Sequence, residues 1–178
     1  MFVFCGGMYR ACSTWQYQVA SLLLERHRAA LRLGYLTGDE FAATEPGLDG
    51  RCWHVLKSHE EHPRFRALVD RGRGVVIYAH RDLRDVIFSL MHKRRMSFET
   101  ILRQGMIHQV IANDRFWSTR PGVLVQRYDD LIAEPERGVH EIAAHLGLSL
   151  AEGEAEEVAA RYSFQANQAR TAELSERL

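Results

Sequence analysis

A chain of 178 residues, 46% of them hydrophobic, is long enough to bury a sizeable core and is not a disordered polymer. Lys plus Arg and Asp plus Glu balance at 23 each, so bulk charge points to neither nucleic acid nor an anionic membrane, and an anion site must arise from local position. Cys5, Cys12 and Cys52 fit no zinc spacing, no apolar run approaches the roughly 20 residues of a bilayer span, and Phe2-Val3-Phe4 follows no basic flank or signal core, so the expectation is one reduced, cytoplasmic domain over residues 1–178.

In chain order, Phe2-Val3-Phe4-Cys5 is a short apolar run closed by Gly6-Gly7, which predicts a buried strand and a turn. A long helix follows. Trp15, Val19, Leu22, Leu23 and Leu31 recur at helical spacing, Ser13 or Thr14 can cap the start, and Gly34 marks the stop. Residues 36–50 form a polar loop with room for one short helix around Phe41. Trp53 to Lys57 predicts a second strand, and Pro63 opens a helix ending near Gly72. Gly74 to Ala79, apolar and β-branched, predicts a third strand. Asp82 caps the next helix, which carries Val86, Ile87, Leu90 and Met91 on one face. One further helical stretch covers about Ser97 to Trp117, and Pro121-Gly122 is a turn. Val123-Leu124-Val125 is the fourth strand. A helix runs from Glu134-Pro135 to Gly147, and an acidic helix and a polar tail follow Ala151.

Strands alternating with helices imply an α/β domain, with a central, mostly parallel sheet flanked by helices in a three-layer, P-loop-like arrangement. Such sheets bind ligands beyond the carboxyl ends of their strands. Three segments sit there: Gly6 to Trp15, Lys57-Ser58-His59, and His80-Arg81-Asp82. In the first, backbone N–H groups at a helix start attract anions, Ser13 and Thr14 add hydroxyl donors, Arg10 adds a bidentate cation, and Trp15 offers a ring for stacking on a base. The same residues equally make a glycine turn, a capped helix and a core tryptophan. The P-loop signature of nucleotide triphosphatases is not met, because it needs Gly-Lys before Ser or Thr and Cys12 stands at the glycine with no lysine.

The stretch from Tyr9 to Trp15 resembles the 5′-phosphosulfate-binding loop of sulfotransferases that use 3′-phosphoadenosine 5′-phosphosulfate. In that resemblance Arg10 takes the basic position, Ser13 and Thr14 the hydroxyl pair, and Trp15 the aromatic beside adenine. Ala11 replaces the usual serine and Cys12 the usual glycine. If position 12 needs positive φ, its Cβ carries strain. Arg81 to Ser89 resembles the family's 3′-phosphate motif, with Arg81 and Ser89 eight residues apart as the phosphate ligands. The plain alternative pairs Arg81 with Asp82 or Asp85 and leaves Ser89 to packing. Lys57-Ser58-His59 resembles the Lys-Thr/Ser-His motif, which implies His59 as catalytic base and Lys57 as a cation on the bridging oxygen. Glu60 and Glu61 are neighbours that can substitute as base or raise the His59 pKa. Tyr128, in Tyr128-Asp129-Asp130-Leu131, resembles the turn after the fourth core strand and would lie near the nucleotide. A packed tyrosine beside a capping aspartate reads equally well. Tyr162-Ser163-Phe164 resembles a late Ser-Phe segment.

The resemblance runs from Phe2 to about Phe164. It implies in-line transfer of a sulfo group to a hydroxyl or amine of a small-molecule, carbohydrate or lipid acceptor, leaving 3′,5′-adenosine bisphosphate, with no metal and no nucleic acid partner. His59, Lys57 and Arg10 would be catalytic. Arg10, Ala11, Cys12, Ser13, Thr14, Trp15, Arg81, Ser89 and Tyr128 would hold the donor. The family's late Gly-rich basic segment has no counterpart, with Arg170 a stand-in, and short acceptor loops leave a pocket either open or completed in a homo-oligomer. Phe98, Met106, His108, Phe116 and Trp117 either line that pocket or, as helical spacing favours, join the core. Two rivals remain: a P-loop-type small-molecule kinase, and an inactive nucleotide-binding or interaction module of the same fold.

Overall fold

The computed structural model describes residues 1–163 together with residues 165 and 166. Five strands form one sheet: β1 (Phe2–Gly7), β2 (Ala30–Tyr35), β3 (Trp53–Lys57), β4 (Gly74–His80) and β5 (Val123–Arg127). Their order is β2-β3-β1-β4-β5, and every neighbouring pair is parallel. The helices are α1 (Ser13–His27), α2 (Gly38–Thr44), α3 (Pro63–Asp70), α4 (Leu83–Arg94), α5 (Phe98–Arg103), α6 (Met106–Ser118), α7 (Tyr128–Ala133), α8 (Pro135–His145) and α9 (Glu154–Arg161). No helix among the described residues is long and apolar enough to cross a membrane.

Side chains alternate across a strand, so β1 feeds two separate cores. Phe2 and Phe4 point to the face covered by α2 to α6, where they meet Phe41, Phe65, Leu68 and Val110. Ring centroids there lie 4.8 Å (Phe4–Phe65) and 5.6 Å (Phe4–Phe41) apart. Each buried ring contributes about 1.5–3 kcal/mol by removal from water. Val3 and Cys5 point to the other face, against Val19 and Leu23 of α1, Val139 and Ile142 of α8, and Val158 of α9. This is the expected three-layer α/β arrangement, with β1 central and its carboxyl end flanked by those of β3 and β4.

The structure corrects the sequence reading in three places. The predicted helix to Gly34 stops at His27, and residues 30–35 are a fifth strand at the sheet edge. Leu31, taken as the last helical apolar residue, is half exposed on that edge. Arg32 reaches back to Glu25 of α1 at 2.6 and 2.7 Å, and the register breaks between Arg32 and Gly34, where Gly34 adopts φ 78°. An exposed edge strand shows no buried periodicity, so its apolar residues read as a continuation of the helix before it. The helix predicted over 97–117 is two helices, because Gly105 turns the chain at φ 70°. The cap of α1 is neither Ser13 nor Thr14 but Cys12.

Candidate active site

The loop after β1 is set by a close approach. Gly7 lies against β4 so tightly that a Cβ there would stand 2.8 Å from both the Cβ and the carbonyl oxygen of Ala79. The Met8 amide donates to that same carbonyl at 2.9 Å. The chain then turns through two left-handed residues that are not glycine, Arg10 (φ 62°) and Cys12 (φ 76°). That conformation costs a residue with a Cβ about 1 kcal/mol or more. The strain anticipated at Cys12 is therefore present. Cys12 occupies the N-cap of α1 with no side-chain cap bond, so no side chain there claims a first-turn amide. Free amides at a helix start, with the helix dipole behind them, suit an anion. Ser13 is buried as the first helical residue, and Ala11 belongs to the core. Burial pushes the Cys12 thiol up to about 11, while Arg81 and then Arg10 pull the other way.

Beyond β3, Lys57 and His59 both bond to this loop. Lys57 Nζ donates to Thr14 Oγ1 at 2.8 Å. Burial, and then the charge of Arg10, lowers the Lys57 pKa. His59 Nδ1 lies 2.9 Å from the Gly7 carbonyl oxygen. A carbonyl only accepts, so Nδ1 carries the hydrogen and Nε2 keeps its lone pair. The ring is flanked by Tyr9 and Tyr35, with centroids 4.6 and 6.0 Å away. Burial lowers the His59 pKa to about 4; the Gly7 bond opposes this, and Lys57 and Arg94 reinforce it. This reverses the expectation that Glu60 or Glu61 raises it. Glu60 accepts from the Gly38 amide at 2.9 Å, and Glu61 pairs with Arg66 at 2.7 Å. His59 is thus a neutral imidazole at physiological pH.

Beyond β4, Arg81 crosses to the first loop, where Nη1 donates to the Arg10 carbonyl at 2.9 Å. Its guanidinium stacks 3.9 Å above the ring of Tyr128, and its Nε sits 3.8 Å from Asp85. Asp82 engages Arg84 instead, which holds its carboxyl well below the usual carboxylate range. Arg10 Nε in turn donates to Ser89 Oγ at 3.2 Å. The first loop is thereby tied to α4, with Arg10 bonded to Ser89 and Arg81 while its charge still acts on Lys57. Tyr128 opens a short helix, α7. Trp15 is half-buried and packs with the α1–α8 core; a Cβ added at Gly138 would lie 3.1 Å from its ring.

Two residues of α6 were not singled out by sequence. Asn113 Nδ2 donates to the His59 carbonyl at 2.6 Å, and its Oδ1 accepts from the Glu61 amide at 3.2 Å. Asp114 bonds His80 Nδ1 at 2.9 Å. Among the alternative pocket residues, Met106 and Trp117 are core, Phe116 packs on it, and Phe98 and His108 are exposed. Phe164 and Arg170 lie outside the described residues. Two concavities, of about 140 and about 600 Å³, lie along α7, α8 and α9 and take in none of the three strand-end segments. Chemistry, rather than either of these concavities, marks the site. No group of His, Cys, Asp and Glu among the described residues could hold a metal.

The family model of the sulfotransferase domain matches residues 51–178. That span takes in Lys57 to His59 and Arg81 to Ser89 but not the first loop. No curated protein matches the sequence. Among solved structures, the fold is similar to mouse sulfotransferase SULT7A1 complexed with PAP (TM-score 0.72, 16% identity). It is also similar to retinol dehydratase with androsterone and inactive cofactor PAP (TM-score 0.69, 16% identity) and to retinol dehydratase with retinol and PAP (TM-score 0.68, 17% identity). Each alignment covers 93% of this chain and 65% of the other, so the chain spans somewhat under two thirds of their length.

Proposed function

The chain belongs to the sulfotransferase domain family, and from that premise we propose that it moves the sulfo group of 3′-phosphoadenosine 5′-phosphosulfate to a hydroxyl or amine of a small-molecule, carbohydrate or lipid acceptor. The observation that carries this reading is the set of bonds converging on the first loop. Lys57 reaches Thr14, His59 reaches Gly7, and Arg81 reaches the Arg10 carbonyl. A cation, a neutral base and a phosphate-type arginine thus surround one uncapped helix start.

In this mechanism Arg81, Arg10 and Ser89 hold the 3′-phosphate end of the donor, with Tyr128 beneath Arg81. The amides of Cys12, Ser13 and Thr14 take the 5′-phosphosulfate, and Trp15 borders the base. His59 Nε2 accepts the acceptor proton as the new O–S or N–S bond forms. The bond between sulfur and the bridging phosphate oxygen breaks in line, and its electron pair stays on the 5′-phosphate of 3′,5′-adenosine bisphosphate. Lys57 stabilises the charge gathering on that oxygen. Every step uses side chains and amides of the chain, and none draws on a metal.

Calorimetry with 3′,5′-adenosine bisphosphate, set beside ATP–magnesium, tests the donor assignment, and a transfer assay over an acceptor panel tests the chemistry. Micromolar binding of the bisphosphate without magnesium is expected. Tight, metal-dependent ATP binding would instead identify a kinase. The strained Cys12 favours a second reading, a nucleotide-binding module without turnover. Donor-product binding joined to absence of transfer in both the native chain and Cys12→Gly would favour that module.

A further inference from the structure

Resting on the transferase reading above, we propose that the adjacent pair Asn113–Asp114 on α6 is a positioning bracket, which fixes the base segment after β3 and the phosphate segment after β4 relative to each other. Asn113 is the base arm. Its amide spans one residue of main chain, giving a hydrogen to the His59 carbonyl at 2.6 Å and taking one from the Glu61 amide at 3.2 Å. Both polar ends of the side chain are engaged, so the 59–61 segment is held at two points. With Nδ1 bonded to Gly7, the imidazole of His59 is then restrained at the ring and at its own backbone. The free Nε2 gains a fixed direction.

Asp114 is the phosphate arm. It bonds His80, the last residue of β4 and the one that precedes Arg81. Neighbouring residues on a helix point about 100° apart, which lets one turn of α6 reach two different strand ends. α6 itself is seated by Met106, Val110 and Trp117 in the core. The bracket therefore transmits the position of a packed helix to both halves of the site. Asn113 touches neither reacting atom, so its effect must pass through His59.

The groups facing His59 are Tyr9 from the first loop, Tyr35 from β2, Lys57 from β3 and Arg94 from α4, with Gly7 at Nδ1. Loosening the 59–61 segment lets water reach the ring among these groups, and that moves the imidazole toward its ordinary titration range.

The test is a histidine-ring NMR titration of the full chain, with the His59 signal assigned by its loss in His59→Ala. In Asn113→Ala the His59 midpoint should rise by about one pH unit. Turnover should fall about ten- to a hundred-fold, with the affinity for 3′,5′-adenosine bisphosphate unchanged within about two-fold. Asp114→Ala should do the opposite, weakening bisphosphate binding several-fold while the His59 midpoint stays put. Should Asn113→Ala not fold, the near-isosteric Asn113→Leu keeps the size, loses both bonds without adding a charge, and should shift the midpoint the same way. An unmoved His59 midpoint in a folded position-113 variant overturns the proposal, as does an identical response from the two arms. Because the titration needs no turnover, a chain that transfers no sulfo group would refute the activity and still judge the bracket.

Discussion

The loop from Gly6 to Trp15 and the junction from Arg81 to Ser89 both follow a central strand and enter a helix, yet they are held by opposite means. The junction is locally made. Asp82 caps α4 through the Arg84 amide at 2.8 Å, Arg84 folds back onto Asp82, and the Val86 amide closes the first turn on the Asp82 carbonyl. The loop has no such aid. It carries two left-handed residues and an empty cap, and its bonds come from Lys57, His59, Ala79, Arg81 and Ser89. A segment held from a distance keeps its amides free for a ligand, whereas a segment held by its own side chains has already used them. Strain in the first and relaxation in the second follow from this division.

The contrast can be broken from either side. The largest effect is expected at His59, where His59→Ala should lower transfer about 10²- to 10⁴-fold and leave bisphosphate affinity within a few-fold. Full activity in that variant would end the assignment of the base. The sign of the pH dependence follows from the lowered pKa. The base works unprotonated, so in the native chain transfer should hold down to about pH 4 and fall below it, rather than fall near 6.5. Arg81→Ala comes next. Losing a cation that also braces the Arg10 carbonyl should weaken bisphosphate binding about a hundred-fold by calorimetry. Asp82→Ala removes a helix cap and should cost about 1 kcal/mol in denaturant unfolding, with bisphosphate binding little changed if the junction is local. A large loss of binding there would show that the two segments are not separately held. Smallest is a gain. Cys12→Gly should relieve the left-handed strain and raise the melting temperature by a few degrees, about 1 kcal/mol.

The same division explains what the sequence disclosed. The runs at β1, β3 and β4 and the Asp82 cap are local signals, and each stands where its residues predicted. The Arg81–Ser89 spacing came instead from the family resemblance, and in the fold it runs from the end of β4 into α4. Edge strand β2 was not readable, because its apolar residues face outward or half outward. The empty cap at Cys12 has no local signal, since nothing nearby announces that Thr14 bonds a lysine 43 residues on. Asn113 lies 54 residues from His59 on the far side of three helices in sequence, and an asparagine inside a helix carries no signal of what it reaches. The lowered His59 pKa was beyond reach too, because burial belongs to the fold and the two acidic neighbours suggested the reverse.

The contact between Gly7 and Ala79 has a consequence for how this chain tolerates change. A Cβ at position 7 would meet the main chain of Ala79 as well as its methyl, so trimming Ala79 to glycine does not open the position. A library randomised at both would return glycine at 7 whatever stands at 79. The constraint is main chain against main chain, set at the point where β1 hands the chain to its anion loop.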